Sequence, residues 1–250
     1  TKEEYKTFQK AEAFLWTVRC HLHYLAGRAE ERLSFDMQPE LGKQLGYSDP
    51  NLHRAVERFM RSYFLVAKDV GDLTRIFCAA LEEQHKKSTP SLSRLLPGFL
   101  KLRSDNDDFF VENGRLAARS GLFREDPINL IRLFHVADGK GLDIHPATLR
   151  NVTRQLDLID DNLRADPQAN RLFLDTLCSR KDPERALRLM NEAGVMGRFL
   201  PEFGRVVALM QFNMYHHYTV DEHLIRAVGV MAEIENGGLK KELPLTHELL

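Results

Sequence analysis

Asp-Pro occurs four times in this chain, at Asp49-Pro50, Asp126-Pro127, Asp166-Pro167 and Asp182-Pro183. An aspartate can accept hydrogen bonds from the orphan amides of a helix's first turn. Proline at the first helical position arrives with a suitable φ and lacks an amide that would go unpaired anyway. The last three pairs each precede an amphipathic run of roughly 11 to 13 residues, and Gly139 and Gly194 are placed to end the first and last of these runs. The pattern predicts a multi-helical chain. The runs share caps but no fixed period, which argues against a solenoid.

Two longer helices are predicted upstream. Residues 2–26 carry Phe8, Ala11, Phe14, Leu15, Val18, Leu22 and Leu25 at helical spacing, with Gly27 as the stop. Ser48-Asp49-Pro50 is expected to open the second. Its apolar face runs through Val56, Phe59, Met60, Phe64, Val70, Leu73, Ile76 and Phe77 to about residue 84. Gly71 within it suggests a bend or a close helix contact. One segment breaks the helical rule: Phe109-Phe110-Val111, Glu112-Asn113-Gly114 and Arg115-Leu116-Ala117 read as a β-hairpin, because Asn-Gly supplies the positive φ of a tight turn. The polar, proline-containing stretch from Lys86 to Ser93 reads as a linker. The expected fold is all-α and multi-helical, with two helical subdomains and one small β-hairpin near 109–117. The expected domains are a helical domain over 1–88, a hairpin and short-helix region over 89–214, and a further helical domain beginning at 215–250.

The charge balance narrows the functional classes. The 250 residues carry a formal net charge of −1, which gives no electrostatic reason to expect nucleic acid as a partner. Cys20, Cys78 and Cys178 lie far apart, and read as buried thiols in a reducing cytosol. No apolar run approaches the roughly 20 residues that span a bilayer, so no membrane contact is expected. The sequence opens at Thr1, within a helical pattern, as an internal piece of a longer protein would.

The densest chemistry lies at Tyr215-His216-His217-Tyr218-Thr219-Val220-Asp221-Glu222-His223. Imidazole and carboxylate are common ligands of hydrolytic metal sites. Thr219 and Glu222 form a capping-box pattern, so a helix is expected from Val220 to Glu235, ended by Asn236-Gly237-Gly238. Leu224, Ala227, Val228 and Met231 would form its buried stripe. This places His223 in the first turn, while His216 and His217 precede the cap. The competing reading is a set of ordinary helix-start residues and hydrogen-bond partners. His247 is solitary. His21 and His23 point about 200° apart on one helix and cannot chelate together. His135 and His145 read as structural. Arg28 and Arg32 could face a phosphate, although a solvated helix start or a local ion-pair network is the favoured reading. Asp157, Asp160 and Asp161 are expected at a helix C-terminal end, where carboxylates are unfavourable. Phosphate-loop, dinucleotide and nucleophile-elbow motifs are absent.

Residues 16–47 (WTVRCHLHYLAGRAEERLSFDMQPELGKQLGY), 55–75 (AVERFMRSYFLVAKDVGDLTR), 123–152 (FREDPINLIRLFHVADGKGLDIHPATLRNV) and 182–228, ending YHHYTVDEHLIRAV, together resemble bacterial protein-PII uridylyltransferases. The middle part more faintly resembles the helical region of tRNA nucleotidyltransferases. The first resemblance implies an order of nucleotidyltransferase core, helical domain, HD-type phosphohydrolase domain and two glutamine-sensing ACT domains. It implies magnesium or manganese, UTP as donor, PII as acceptor, glutamine as signal, and a cytoplasmic setting. Within it, His223, Arg226 and Val228 match the opening His-x-x-Arg-x-Val of an HD-type domain. His223 becomes a partial metal ligand, with His216, His217 and Asp221 as neighbours. The transferase's paired aspartates would lie before Thr1 and the His-Asp doublet beyond Leu250. The expectation is therefore an inert internal segment that links and positions two catalytic centres. The alternatives are a non-catalytic helical module that binds PII or nucleotide, and an RNA-binding helical region.

Overall fold

The computed structural model describes residues 2–85, 108–212 and 218–249. Its helices are α1 (Lys2–Ala26), α2 (Gln38–Gln44), α3 (Leu52–His85), α4 (Leu122–Glu125), α5 (Asn129–Lys140), α6 (Pro146–Thr153), α7 (Asp161–Ala165), α8 (Pro167–Leu177), α9 (Pro183–Glu192), α10 (Val195–Phe199), α11 (Pro201–Val206), α12 (Val220–Glu235) and α13 (Pro244–Leu249). The strands are β1 (Phe109–Glu112), β2 (Arg115–Ala118) and β3 (Asp143–Ile144). The fold is mostly α, as expected, with one small sheet. Two compact units emerge: Thr1–Arg75 with Arg205–His223, and Ile76–Gly204 with Leu224–Leu250. The linker expected at 86–93, with its boundary near residue 88, lies outside the described residues.

In the first unit, Val18 and Leu22 of α1, Leu41 of α2, and Val56, Phe59 and Met60 of α3 form the core. Phe59 and Leu41 are wholly buried. Burial of a side chain of this size contributes about 1.5–3 kcal/mol. Gly42 of α2 lies against Phe59, to which a Cβ at that position would stand 3.4 Å away. Helix α2 was not anticipated; Pro39 lies in its first turn, where the missing amide is harmless. Helix α3 starts later than Asp49-Pro50 suggested. Asn51 is its working cap, with Oδ1 accepting from the amides of His53 (3.0 Å) and Arg54 (3.4 Å). Asp49 instead accepts from the Asn51 amide, which makes a turn before the helix. A Cβ on Gly71 would meet nothing within 4 Å, so among the described residues no helix packs closely against it.

The second unit follows the caps. Asp166 Oδ1 accepts from the amides of Gln168 and Ala169, both at 2.8 Å, and Asp182 Oδ1 accepts from Arg185 at 3.1 Å. Asp126 binds the Ile128 amide and the Asn129 side chain, and α5 begins two residues beyond Pro127. Gly141, in the left-handed region at φ +62°, ends α5 in place of Gly139. Asp160 and Asp161 sit at the start of α7, not at a C-terminal end. Asp160 Oδ1 accepts from the Leu163 amide at 2.9 Å, so the carboxylate is in its favoured place.

The hairpin forms as expected around Asn113 and Gly114, at φ +51° and +77°, with Phe109 opposite Ala118 and Glu112 opposite Arg115. It does not stand alone. β3 pairs in parallel with β2 and makes a three-stranded sheet, an addition its two residues gave no pattern to reveal. The three cysteines are exposed free thiols, contrary to the buried reading, because each sits on the outer side of its helix or at a helix end. No helix among the described residues is long and apolar enough to cross a membrane.

Candidate functional site

Helix α12 spans Val220–Glu235, as the capping pattern indicated, and the His223 amide donates to Thr219 O at 2.9 Å. Its buried face is not the expected one. Leu224 and Met231 are each 46% exposed, whereas Asp221 (4%) and Ile225 (1%) are buried. Two contacts explain the rotation. The Asp221 carboxylate takes an amide hydrogen bond inside the first unit. Further along, Gly229 lies so close to α9 that an added Cβ would stand 2.9 Å from Glu184 Cβ.

His223 is exposed and Asp221 is buried, two residues apart and on different sides of the helix. They do not converge on one point. His216 and His217 lie outside the described residues. Arg28 pairs with Glu30 at 3.0 Å, and the Arg32 amide donates to the same carboxylate at 3.0 Å. These contacts, led by the Arg32 amide, hold the Glu30 carboxyl below its ordinary value of 4.5. Next to it, Glu31 receives Arg19 at 2.6 Å, which lowers its pKa in the same direction. His23 Nε2 is 3.4 Å from Glu31, near enough for charge attraction but not aligned as a hydrogen bond. The 28–32 segment is thus a local ion-pair network, with Arg28 at its rim.

Among the described residues, no three His, Cys, Asp or Glu side chains are grouped as a metal site. Stable catalytic sites use three or more protein ligands. The described residues therefore do not by themselves make up a divalent-metal site. His145 is buried at the head of α6, where Nδ1 accepts from the Ala147 amide. His247 Nδ1 contacts Ile234 O at 2.8 Å. Both are structural.

The residues that set the site were not singled out by the sequence. Segment 205–212 runs back along α3: Arg61 donates to Arg205 O at 3.4 Å, and the Phe212 amide donates to Glu57 Oε1 at 3.3 Å. Phe35 stacks on Phe212 with centroids 4.2 Å apart, and His53 meets the same ring edge-on at 5.5 Å. At the head of α12, the Val220 amide donates to Leu209 O at 2.8 Å, and the Ala208 amide to Asp221 Oδ1 at 3.1 Å. The start of α12, with His223, is thus held on the body made by α1 to α3. Aromatic residues at 35, 53 and 212 were the available signal, but nothing local links them.

Two family models match the chain: GlnD PII-uridylyltransferase over residues 1–78, and uridylyltransferase GlnD third domain over residues 109–199. No solved structure matches it.

Proposed function

Because this chain belongs to the PII-uridylyltransferase family, we propose that it is the helical part of a bifunctional enzyme that adds uridylyl groups to PII and removes them. The family is a nucleotidyltransferase family acting on PII. In this reading the segment links and positions two catalytic centres and completes neither from its described residues. The observation that carries it is the placement of His223: rigid on α12, exposed, and tied to the α1–α3 body. His223 would give one ligand to a magnesium- or manganese-dependent HD-type centre, with the others drawn from outside the described residues. UTP, glutamine control and a cytoplasmic setting belong to the same proposal. Phosphate contact by Arg28 or Arg32 belongs to it as well, with the Arg28 guanidinium first having to leave Glu30.

The test is direct. The chain, incubated with UTP, magnesium and PII, is expected to yield no uridylylated PII by mass spectrometry. Robust transfer would overturn the assignment of a positioning role.

One observation favours a second reading, a module that docks PII without chemistry. Between α1 and α3 lies an open groove of about 230 Å³, lined by Phe8, Leu15, Trp16 and Val70 with Glu12 and Arg19 beside them. Trp16 is 53% exposed there, with Arg19 placed 4.9 Å over its ring. Calorimetry separates the readings: saturable heat with PII supports docking, and none supports the positioning role alone.

A further inference from the structure

We propose that Asp221 is a positioning residue, the pin of a strap through which the α1–α3 body fixes the place of His223. The proposal rests on the reading of His223 as a ligand for its importance, but not for its geometry.

The strap is segment 205–212, and it is held at both ends. Arg61 grips Arg205 O; Glu57 grips the Phe212 amide, with Phe35 and His53 on the Phe212 ring. Between these ends Met210 enters the core beside Phe59. Ala208, also in the strap, is 5% exposed and has φ +56°. Alanine in the left-handed region crowds its Cβ against the backbone and persists only where surrounding contacts over-determine it. The contact at that residue is the Asp221 carboxylate on its amide. One residue later, Leu209 O receives the Val220 amide. Two adjacent strap residues are thus clasped to two adjacent residues at the head of α12.

A buried carboxylate is costly unless it is hydrogen-bonded. Asp221 directs an oxygen at the strap, on the opposite side of α12 from the exposed His223. It therefore acts on His223 through the backbone and does not share a ligand with it.

The chemistry of the pin gives a discriminating substitution. Asp221→Asn keeps an oxygen that can accept from Ala208, whereas Asp221→Ala removes it. In the whole chain, Asp221→Ala is expected to speed exchange of the Ala208 amide by about 10-fold, the loss of the hydrogen bond it donates to Asp221. It should also shift the His223 ring resonance. Asp221→Asn should return both readouts to near their starting values. Glu57→Ala, at the far end of the strap, should move the His223 resonance as well. The proposal is overturned if Asp221→Asn shifts the His223 resonance as far as Asp221→Ala does, since charge would then matter and not the clasp. It is equally overturned if Asp221→Ala leaves Ala208 protected. Should Asp221→Ala not fold, Asp221→Asn and Glu57→Ala still decide the matter through the same resonance. Zinc titration of the chain and of His223→Ala tests the ligand reading separately. Equal zinc binding by both would remove that reading while leaving the clasp result intact.

Discussion

In the unit of residues 76–204 and 224–250, helices are short and several carry their own starts: Asp160, Asp166 and Asp182 each hold first-turn amides. In the unit of residues 1–75 and 205–223, two long helices and one short one surround Phe59, and a distant segment closes over them. The first kind of order is written locally, in a polar residue and a proline. The second arises from packing between segments far apart in sequence, so its contacts carry more of its stability than its caps do.

That contrast fails or holds most clearly in the two cores. Phe59 and Phe134 are each wholly buried, one in each unit. Truncating either to alanine should cost about 3–5 kcal/mol, the transfer of the ring plus the cavity left behind. Hydrogen exchange should report each loss first in the variant's own unit. Equal loosening of both units by Phe59→Ala would show that the division into two bodies is wrong.

Two helical glycines sharpen the comparison with smaller effects of opposite sign. Gly229 faces Glu184, whose Cβ an alanine would approach to 2.9 Å, too close for a backbone-proximal atom to evade. Gly229→Ala should destabilise by about 1–3 kcal/mol, the usual range for overpacking. Gly71, inside α3, has open space around it. Gly71→Ala should stabilise by about 0.5–1 kcal/mol, because alanine loses less backbone freedom in a helix. Chemical denaturation of the two variants reads both signs. A destabilising Gly71→Ala would mean that α3 depends on a bend there.

What was legible in the sequence follows the same division. The caps at Asp166 and Asp182, and the Asn113-Gly114 turn, act within three or four residues, so residue type and spacing suffice to find them. The placement of α12 was legible for the same reason. Its buried face was not, because hydrophobic spacing favoured Leu224 and Met231 while a buried carboxylate turned the helix the other way. Asp160 was misassigned because a helix end and the next helix start lie only a few residues apart there, separated by a short 3₁₀ turn. The strap was invisible. Glu57 and Phe212 are 155 residues apart, and Ala208 is not a residue type that signals a left-handed turn. His223 could thus be picked out in sequence, but not the residues that hold it.

The smallest expected effect is electrostatic and runs in opposite directions at two aspartates. In the second unit, the Leu163 amide holds the Asp160 carboxyl below its ordinary 3.8. A carboxyl lowered by folding stabilises the fold above its unfolded pKa and loses that contribution as pH falls through the folded value. In the first unit, Asp69 on α3 is raised above 3.8, first by desolvation, with Asp72 adding to the rise and Lys68 opposing it. A raised carboxyl does the reverse: its contribution is full below the unfolded pKa and is lost as pH rises through the folded value. Asp69 is on an exposed stretch of α3, so solvent screening keeps its effect small. Carboxyl-detected NMR titration should place the Asp160 midpoint below 3.8 and the Asp69 midpoint above it. Asp69→Asn should then stabilise the chain slightly at neutral pH and lose that advantage in acid, while Asp160→Ala should weaken α7 at neutral pH and converge with the unaltered chain as acid removes the cap. A shared midpoint for the two carboxyls would mean that neither the cap at Asp160 nor the crowding at Asp69 is felt in solution, and local order would then distinguish the units less than their cores do.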